Sequence, residues 1–126
     1  MFALTPRHRF FLYQDSCDMR KGFNGLSGLV RNETDADPLS GDVFIFINRS
    51  RTTMKLLVFE GDGYLLYHKR LAAGSFQKQL TLQPATQATF AIDYNQLHFL
   101  LRGVDLRHIK QRKRFSLPKP VVSKAM

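Results

Sequence analysis

Hydrophobic positions along the chain follow two periods, and the switches between them set out the elements. Asp18 to Val30, DMRKGFNGLSGLV, has helical spacing: Met19, Phe23, Leu26 and Val30 fall on one stripe at 100° per residue. Arg20, Asn24, Ser27 and Arg31 repeat that spacing on the other side, and Gly22, Gly25 and Gly28 lie along a flank between them. Asp18 is the expected N-cap, because a carboxylate there can accept the free N–H groups of a first turn. A second helix begins at Asp93, which with Gln96 has the spacing of a capping box. Ile92 and Leu97 are set as a hydrophobic staple, Gly103 stands at the C-cap, and Tyr94, Leu97, Leu101 and Val104 form the buried stripe.

Shorter runs alternate with the period of strands. Arg9–Gln14 is apolar on both sides, so both faces of that strand should be partly covered. Val43–Asn48, Met54–Phe59 and Tyr64–Arg70 follow closely. The run VFIFI is β-branched and aromatic throughout, which marks a central strand buried on both faces. Gly61-Asp62-Gly63 makes a tight hairpin, and Arg49-Ser50-Arg51-Thr52-Thr53 forms another tip, with two arginines and no acid. A further strand is expected over Ser75–Leu82, stopped by Pro84, and a short one over Thr89–Ile92. Short links between neighbouring strands predict an antiparallel meander. The fold class is therefore α+β: one domain, an antiparallel β-meander sheet packed with two main helices.

Composition adds boundaries. A chain of 126 residues with 44% hydrophobic and 12% aromatic content suits one globular domain with a real core. One cysteine, Cys17, excludes an intramolecular disulfide and points to a reducing compartment, so the expected location is cytoplasmic. The N-terminal MFALTPRHRFFLY lacks the apolar core of a signal peptide, and no apolar run reaches the ~20 residues of a membrane span.

Charge changes the picture most. Lys and Arg number 19 against 10 Asp and Glu, a net +9. Seven of these nine charges come from residues 107–126, where Arg107, Lys110, Arg112, Lys113, Arg114, Lys119 and Lys124 occur without an acid. A body over 1–106 and a basic, flexible tail over 107–126 is the form of a folded domain with a nucleic-acid arm. A solubilising tail or one that meets an acidic protein has the same composition. If it binds DNA, the protein is nucleoid-associated.

The first helix has two costs that ask for an explanation. Three interior glycines together cost roughly 2–3 kcal/mol relative to alanine. Arg20 and Lys21 fall in its first turn, at the positive end of the helix dipole. Close helix–sheet packing with two solvated cations is one account. An anion bound at the helix start is another, and a docking flank for a protein partner is a third. Arg49 and Arg51 join Arg20 and Lys21 as candidate phosphate contacts in the body; Arg107, Lys110, Arg112, Lys113 and Arg114 are the candidates in the tail.

Enzymatic chemistry finds little support. His8, His68, His98 and His108 lack metal-ligand pairing. Gly25-Leu26-Ser27-Gly28 is one residue short of a nucleophile elbow and lies in a helical pattern. The three spaced glycines match neither a Walker loop nor a dinucleotide fingerprint. Asp35-Ala36-Asp37 reads as turn chemistry rather than a cation site. No catalytic residue, metal or cofactor is assigned.

The blocks DMRKGFNGLSGLV, DPLSGDVFIFINRSR, KLLVFEGDGYLLYHKRLAAGSF and LRGVDL, in that order, resemble the TnpB-type (Orf2-like) accessory proteins of bacterial insertion sequence family sixty-six. The resemblance covers roughly residues 1 to 106. It implies a small protein encoded beside a separate transposase and needed for mobility of the element, without catalytic residues to carry over. The positions that match are Asp18, Met19, Arg20, Lys21, Gly22, Asn48, Arg49, Lys55, Gly61, Gly63, Lys69 and Arg70. Phe59 and Leu106 stand where relatives often have tryptophan, and Glu60 where aspartate is common. The expected function is non-enzymatic help in DNA transposition, with DNA, the transposase or both as partners. An adaptor that docks the transposase without touching DNA is the alternative, and a metal-dependent nuclease a third.

Overall fold

The structure is a computed structural model. It describes residues 4–76 and 88–102 in full, and the backbone of 104–105 and 110–111. The element order is β1 (Phe10–Tyr13), α1 (Phe23–Glu33), β2 (Val43–Ile47), β3 (Thr53–Phe59), β4 (Tyr64–Arg70), β5 (Thr89–Ile92), α2 (Tyr94–Arg102), β6 (Val104–Asp105) and β7 (Lys110–Gln111).

β1 to β5 form one sheet in the order β4-β3-β2-β1-β5. β2, β3 and β4 pair antiparallel, as short hairpins require. β1, however, runs parallel to β2, with Phe10 opposite Val43, and antiparallel to β5. The sheet is thus mixed, which corrects the all-antiparallel expectation. The physical reason is the connection: β1 and β2 are joined through α1, and a crossover with a helix delivers the next strand parallel.

Each helix covers one face. β1, β2 and β3 alternate their side chains, so Phe10, Leu12, Val43, Ile45, Ile47, Met54, Leu56 and Val58 pack with Leu97 and Leu100 of α2. Tyr13, Phe44, Phe46 and Leu57 pack with Leu26 and Val30 of α1 on the other side. β2 is buried at every position, as its apolar run predicts. The body is a single small α+β domain built around two cores on one sheet.

α1 differs most from its sequence pattern. It starts at Phe23, and Gly22 is its N-cap, without any side-chain hydrogen bond. Asp18 is not the cap. Its carboxylate instead accepts the backbone N–H of Arg20 at 2.9 Å and the Arg20 guanidinium at 2.7 Å. Arg20 and Lys21 therefore precede the helix. Of the expected stripe, Leu26 and Val30 are buried, Phe23 is 48% exposed, and Met19 packs from the preceding loop. Nor does the glycine flank pack against the sheet: a Cβ at Gly22 or Gly28 would meet nothing within 4 Å, and at Gly25 only the Lys21 side chain.

α2 follows its terminal signals. Asp93 N–H donates to Gln96 Oε1 at 2.8 Å and Gln96 N–H to Asp93 Oδ1 at 2.7 Å, the reciprocal bonds of a capping box. Ile92 and Leu97 are both buried in the core beneath it. Leu100 is buried where Leu101 was expected to be, and Val104 lies in β6 rather than on the helix. The backbone of Lys110–Gln111 pairs antiparallel with Val104–Asp105, across the expected boundary at 106/107. Most of the strand expected over Ser75–Leu82, the Gly103 cap and the rest of the basic tail lie outside the described residues.

A candidate nucleic-acid interface at the carboxyl end of the parallel strands

The topology brings distant cations to one end of the sheet. β1 and β2 both end there, so the loop after β1 and the hairpin tip after β2 are neighbours; Cys17 N–H donates to Ile47 O at 3.0 Å and joins them. β3 starts at this end and β4 finishes there, with Arg70 opposite Thr53 and Lys69 opposite Met54. Arg20, Lys21, Arg49, Arg51, Lys69 and Arg70 are all exposed at this end. Asp15 and Asp18 are the acids beside them, and Asp18 is engaged by Arg20. The N-terminus of α1 points the same way and adds its partial positive charge.

The opposite end is acidic. Glu33, Asp35, Asp37 and Asp42 lie between α1 and β2, Glu60 and Asp62 in the β3–β4 turn, and Asp93 after β5. Arg7, Arg9 and Arg31 lie among them, and Arg9 holds Asp42 through two hydrogen bonds, 3.0 and 2.8 Å long. A groove of about 960 Å³ opens here, with Phe11 and Ala91 among its lining residues and Glu33, Asp35 and Asp37 beside them. Sequence reading gives the body a small net charge. The fold separates that charge into a basic end and an acidic end.

One buried cation builds the basic end. Lys55, in the middle of β3, is 6% exposed and points to the α1 side. Its Nζ donates to Met19 O at 2.8 Å and Lys21 O at 2.7 Å. Two carbonyl dipoles thus receive the ammonium in place of water, and the loop that carries Arg20 and Lys21 is tied to the sheet. This residue was not singled out as a site residue from the sequence. The available signal was a lysine inside the otherwise apolar run Met54–Val58.

The hairpin tip is equally fixed. Asn48 Oδ1 accepts from the N–H groups of Thr52 and Thr53 at 2.9 and 3.0 Å, and Asn48 Nδ2 donates to the Ser50 and Thr52 hydroxyls. Arg51 sits at φ +60°, a left-handed conformation that costs a side-chain-bearing residue roughly 1–2 kcal/mol. Arg49, Arg51, Lys69 and Arg70 make no ion pair among the described residues.

Arg20 and Asp18 form an exposed ion pair 2.7 Å long. The guanidinium and its backbone N–H hold the Asp18 carboxyl down to about 2. This bears on the anion-site expectation: Arg20 is partnered, and it lies ahead of the helix rather than in its first turn. Of the candidate phosphate contacts, Arg20, Lys21, Arg49 and Arg51 come to one end. For Lys110 only the backbone is described, and Arg107, Arg112, Lys113 and Arg114 lie outside the described residues. Asp37 serves a turn, Leu39 N–H donating to its Oδ1 at 2.9 Å. Among the described residues no three His, Cys, Asp or Glu side chains are grouped to hold a metal ion. No described helix is long and apolar enough to cross a membrane.

Comparison with known proteins decides the family. The family described as IS66 Orf2 like protein matches residues 8–111. The chain belongs to that family. An uncharacterized protein of Sinorhizobium fredii, y4hO, is 35% identical over 100 residues, 79% of this chain and 84% of its own length. A second uncharacterized protein of the same organism, y4jC, is 27% identical over 104 residues, 82% of this chain and 86% of its own. No solved structure matches the chain. Membership in this family associates the protein with an accessory role in transposition of insertion sequences.

Proposed function

We propose that the protein is a non-enzymatic transposition accessory factor that binds DNA through the basic end of its sheet. The observation that carries this reading is the uneven distribution of charge: six exposed cations gather at the carboxyl end of β1 and β2, Arg20 among them paired with Asp18 and Asp15 nearby, while most of the acids lie at the other end. Exposed arginines and lysines without acidic partners are free to replace the counterions of a phosphate backbone, and each phosphate neutralised steepens the salt dependence by about 0.9 in the slope of log K against log salt. The backbone of this surface is fixed by Lys55 and Asn48, so binding loses little backbone entropy. The tail over 107–126 adds seven cations to the same polyanion contact.

The test is a salt series of binding to duplex DNA from an element end. Replacing Arg49, Lys69 and Arg70 together by Gln should weaken binding and flatten the slope by about two to three units. An unchanged slope would refute DNA contact by this end.

A second reading is a protein adaptor, with the transposase docked on the glycine flank of α1. It is favoured by the open space at Gly22 and Gly28 and by the exposed ring of Phe23 beside them. Gly28→Lys would then abolish co-elution with the element's transposase while leaving DNA affinity intact.

A further inference from the structure

We propose that Arg51 enters the minor groove of duplex DNA, while the cations around it hold the flanking phosphates. The inference rests on the DNA-binding reading above and assigns Arg51 a role distinct from that of its neighbours. Three observations carry it.

First, Arg51 occupies a left-handed backbone conformation, φ +60°, that glycine or asparagine adopts more easily. Its side chain is exposed and makes no hydrogen bond or ion pair among the described residues. The hairpin's hydrogen bonds account for the backbone conformation but not for an arginine in it, and that choice of residue points to use of the side chain.

Second, the strain is imposed from both sides. Arg51 N–H donates to Asn48 O at 3.0 Å, and Arg51 O accepts from the N–H of Phe76 at 2.7 Å. Phe76 is fully buried, and the neighbouring amides of Thr52 and Thr53 are held by Asn48. The Cα–Cβ direction of Arg51 is therefore set before any ligand arrives, which lowers the entropy lost on binding.

Third, the tip projects only one turn past the strands, with β4 and residues 71–76 beside it. A single arginine can enter a minor groove, about 6 Å wide. Narrow A·T-rich grooves concentrate negative potential and favour arginine, whose guanidinium is more weakly hydrated than an ammonium. Arg49, Lys69 and Arg70 lie on the same end to meet the backbones on either side.

The experiment compares three duplexes: an A-tract, the same length of G·C pairs, and that G·C duplex with inosine for guanine. Inosine removes the minor-groove amino group and leaves the major-groove edge of the pair unchanged. Wild-type protein should prefer the A-tract and the inosine duplex over G·C by about tenfold, the scale of one mismatched base pair. Arg51→Lys keeps the charge, so it should retain the salt slope but lose that preference. Arg51→Gly should lose the preference and melt at the same temperature or higher. Salt-dependent binding with no preference in wild type, or with the preference intact in Arg51→Lys, would overturn the inference and leave the DNA-binding reading standing. Absence of salt-dependent binding to all three duplexes would overturn both.

Discussion

Replacement of Lys55 by methionine tests how the basic end is held. Methionine nearly matches the lysine stem in length, so the change removes the ammonium while leaving most of the packing. Lost are two charge-assisted hydrogen bonds, 2.8 and 2.7 Å long. Bonds to charged groups contribute about 1.5–3 kcal/mol each, a gross of roughly 3–6 kcal/mol. Against this stands the desolvation of a buried ammonium, several kcal/mol, which the apolar substitute does not incur. The freed carbonyls belong to Met19, half-buried, and Lys21, exposed, so water can reach at least one. The net expectation is a loss of about 1–3 kcal/mol. Urea denaturation should show a lower midpoint with an unchanged slope. Amide exchange should accelerate in residues 17–26 more than in β2. DNA affinity should fall as well, because Arg20 and Lys21 ride on the released loop. A Lys55→Met protein as stable as the parent or more so, with unaltered exchange in 17–26, would show that the ammonium is tolerated rather than required.

Other expectations follow from single contacts. Gly28→Ala should stabilise α1 by about 0.5–1 kcal/mol, because a Cβ there meets nothing, whereas Gly25→Ala should gain less, its Cβ lying 3.0 Å from that of Lys21; paired thermal melts check this. Asp93→Ala should cost about 1 kcal/mol in urea melts by opening the capping box of α2. The Asp18 carboxyl, held by Arg20 at about 2, lies below its unfolded value near 3.8. Its stabilising contribution is therefore complete above pH 4 and disappears as pH falls toward 2; Asp18→Asn should flatten stability across that window, and added salt should do the same because the pair is exposed.

Elements with strong local signals were legible in the sequence. β2 reads as a buried central strand from five consecutive apolar residues, and α2 from its capping box and staple. What failed were inferences that treated spacing as sufficient. Asp18 and Met19 continue the helical period of Phe23, Leu26 and Val30, yet Lys55 draws the carbonyls of Met19 and Lys21 toward β3 and the helix starts only after Gly22. No local pattern encodes a contact between residues 34 to 36 positions apart. The three hairpin-linked strands dominate the sequence pattern and favour an antiparallel sheet; the helix lying between the first two strands is the signal for a parallel pair. Arg49 and Arg51 were recognisable as a basic tip, but their meeting with Lys69 and Arg70 depends on the β3–β4 register.

The turn-forming and basic residues of the sheet divide by what the fold requires of them. Lys55 holds a loop through two carbonyls, Asn48 organises a turn, and Gly61 adopts φ +92° in the β3–β4 hairpin. Each of these contacts serves the fold. Arg49, Lys69 and Arg70 are different: all are exposed, and none pairs with an acid among the described residues. Lys69 and Arg70 end an edge strand, where cations discourage pairing with another sheet. That explains two cations on β4 but not the arginines of the neighbouring tip, which sits beyond the strand ends. Nor does it explain why most of the acids, Asp15 and Asp18 excepted, lie at the opposite end. Edge protection requires charge of either sign on the strand; attraction of a polyanion requires one sign across several elements. The arrangement across the β1–α1 loop, the β2–β3 tip and the end of β4 has the second form.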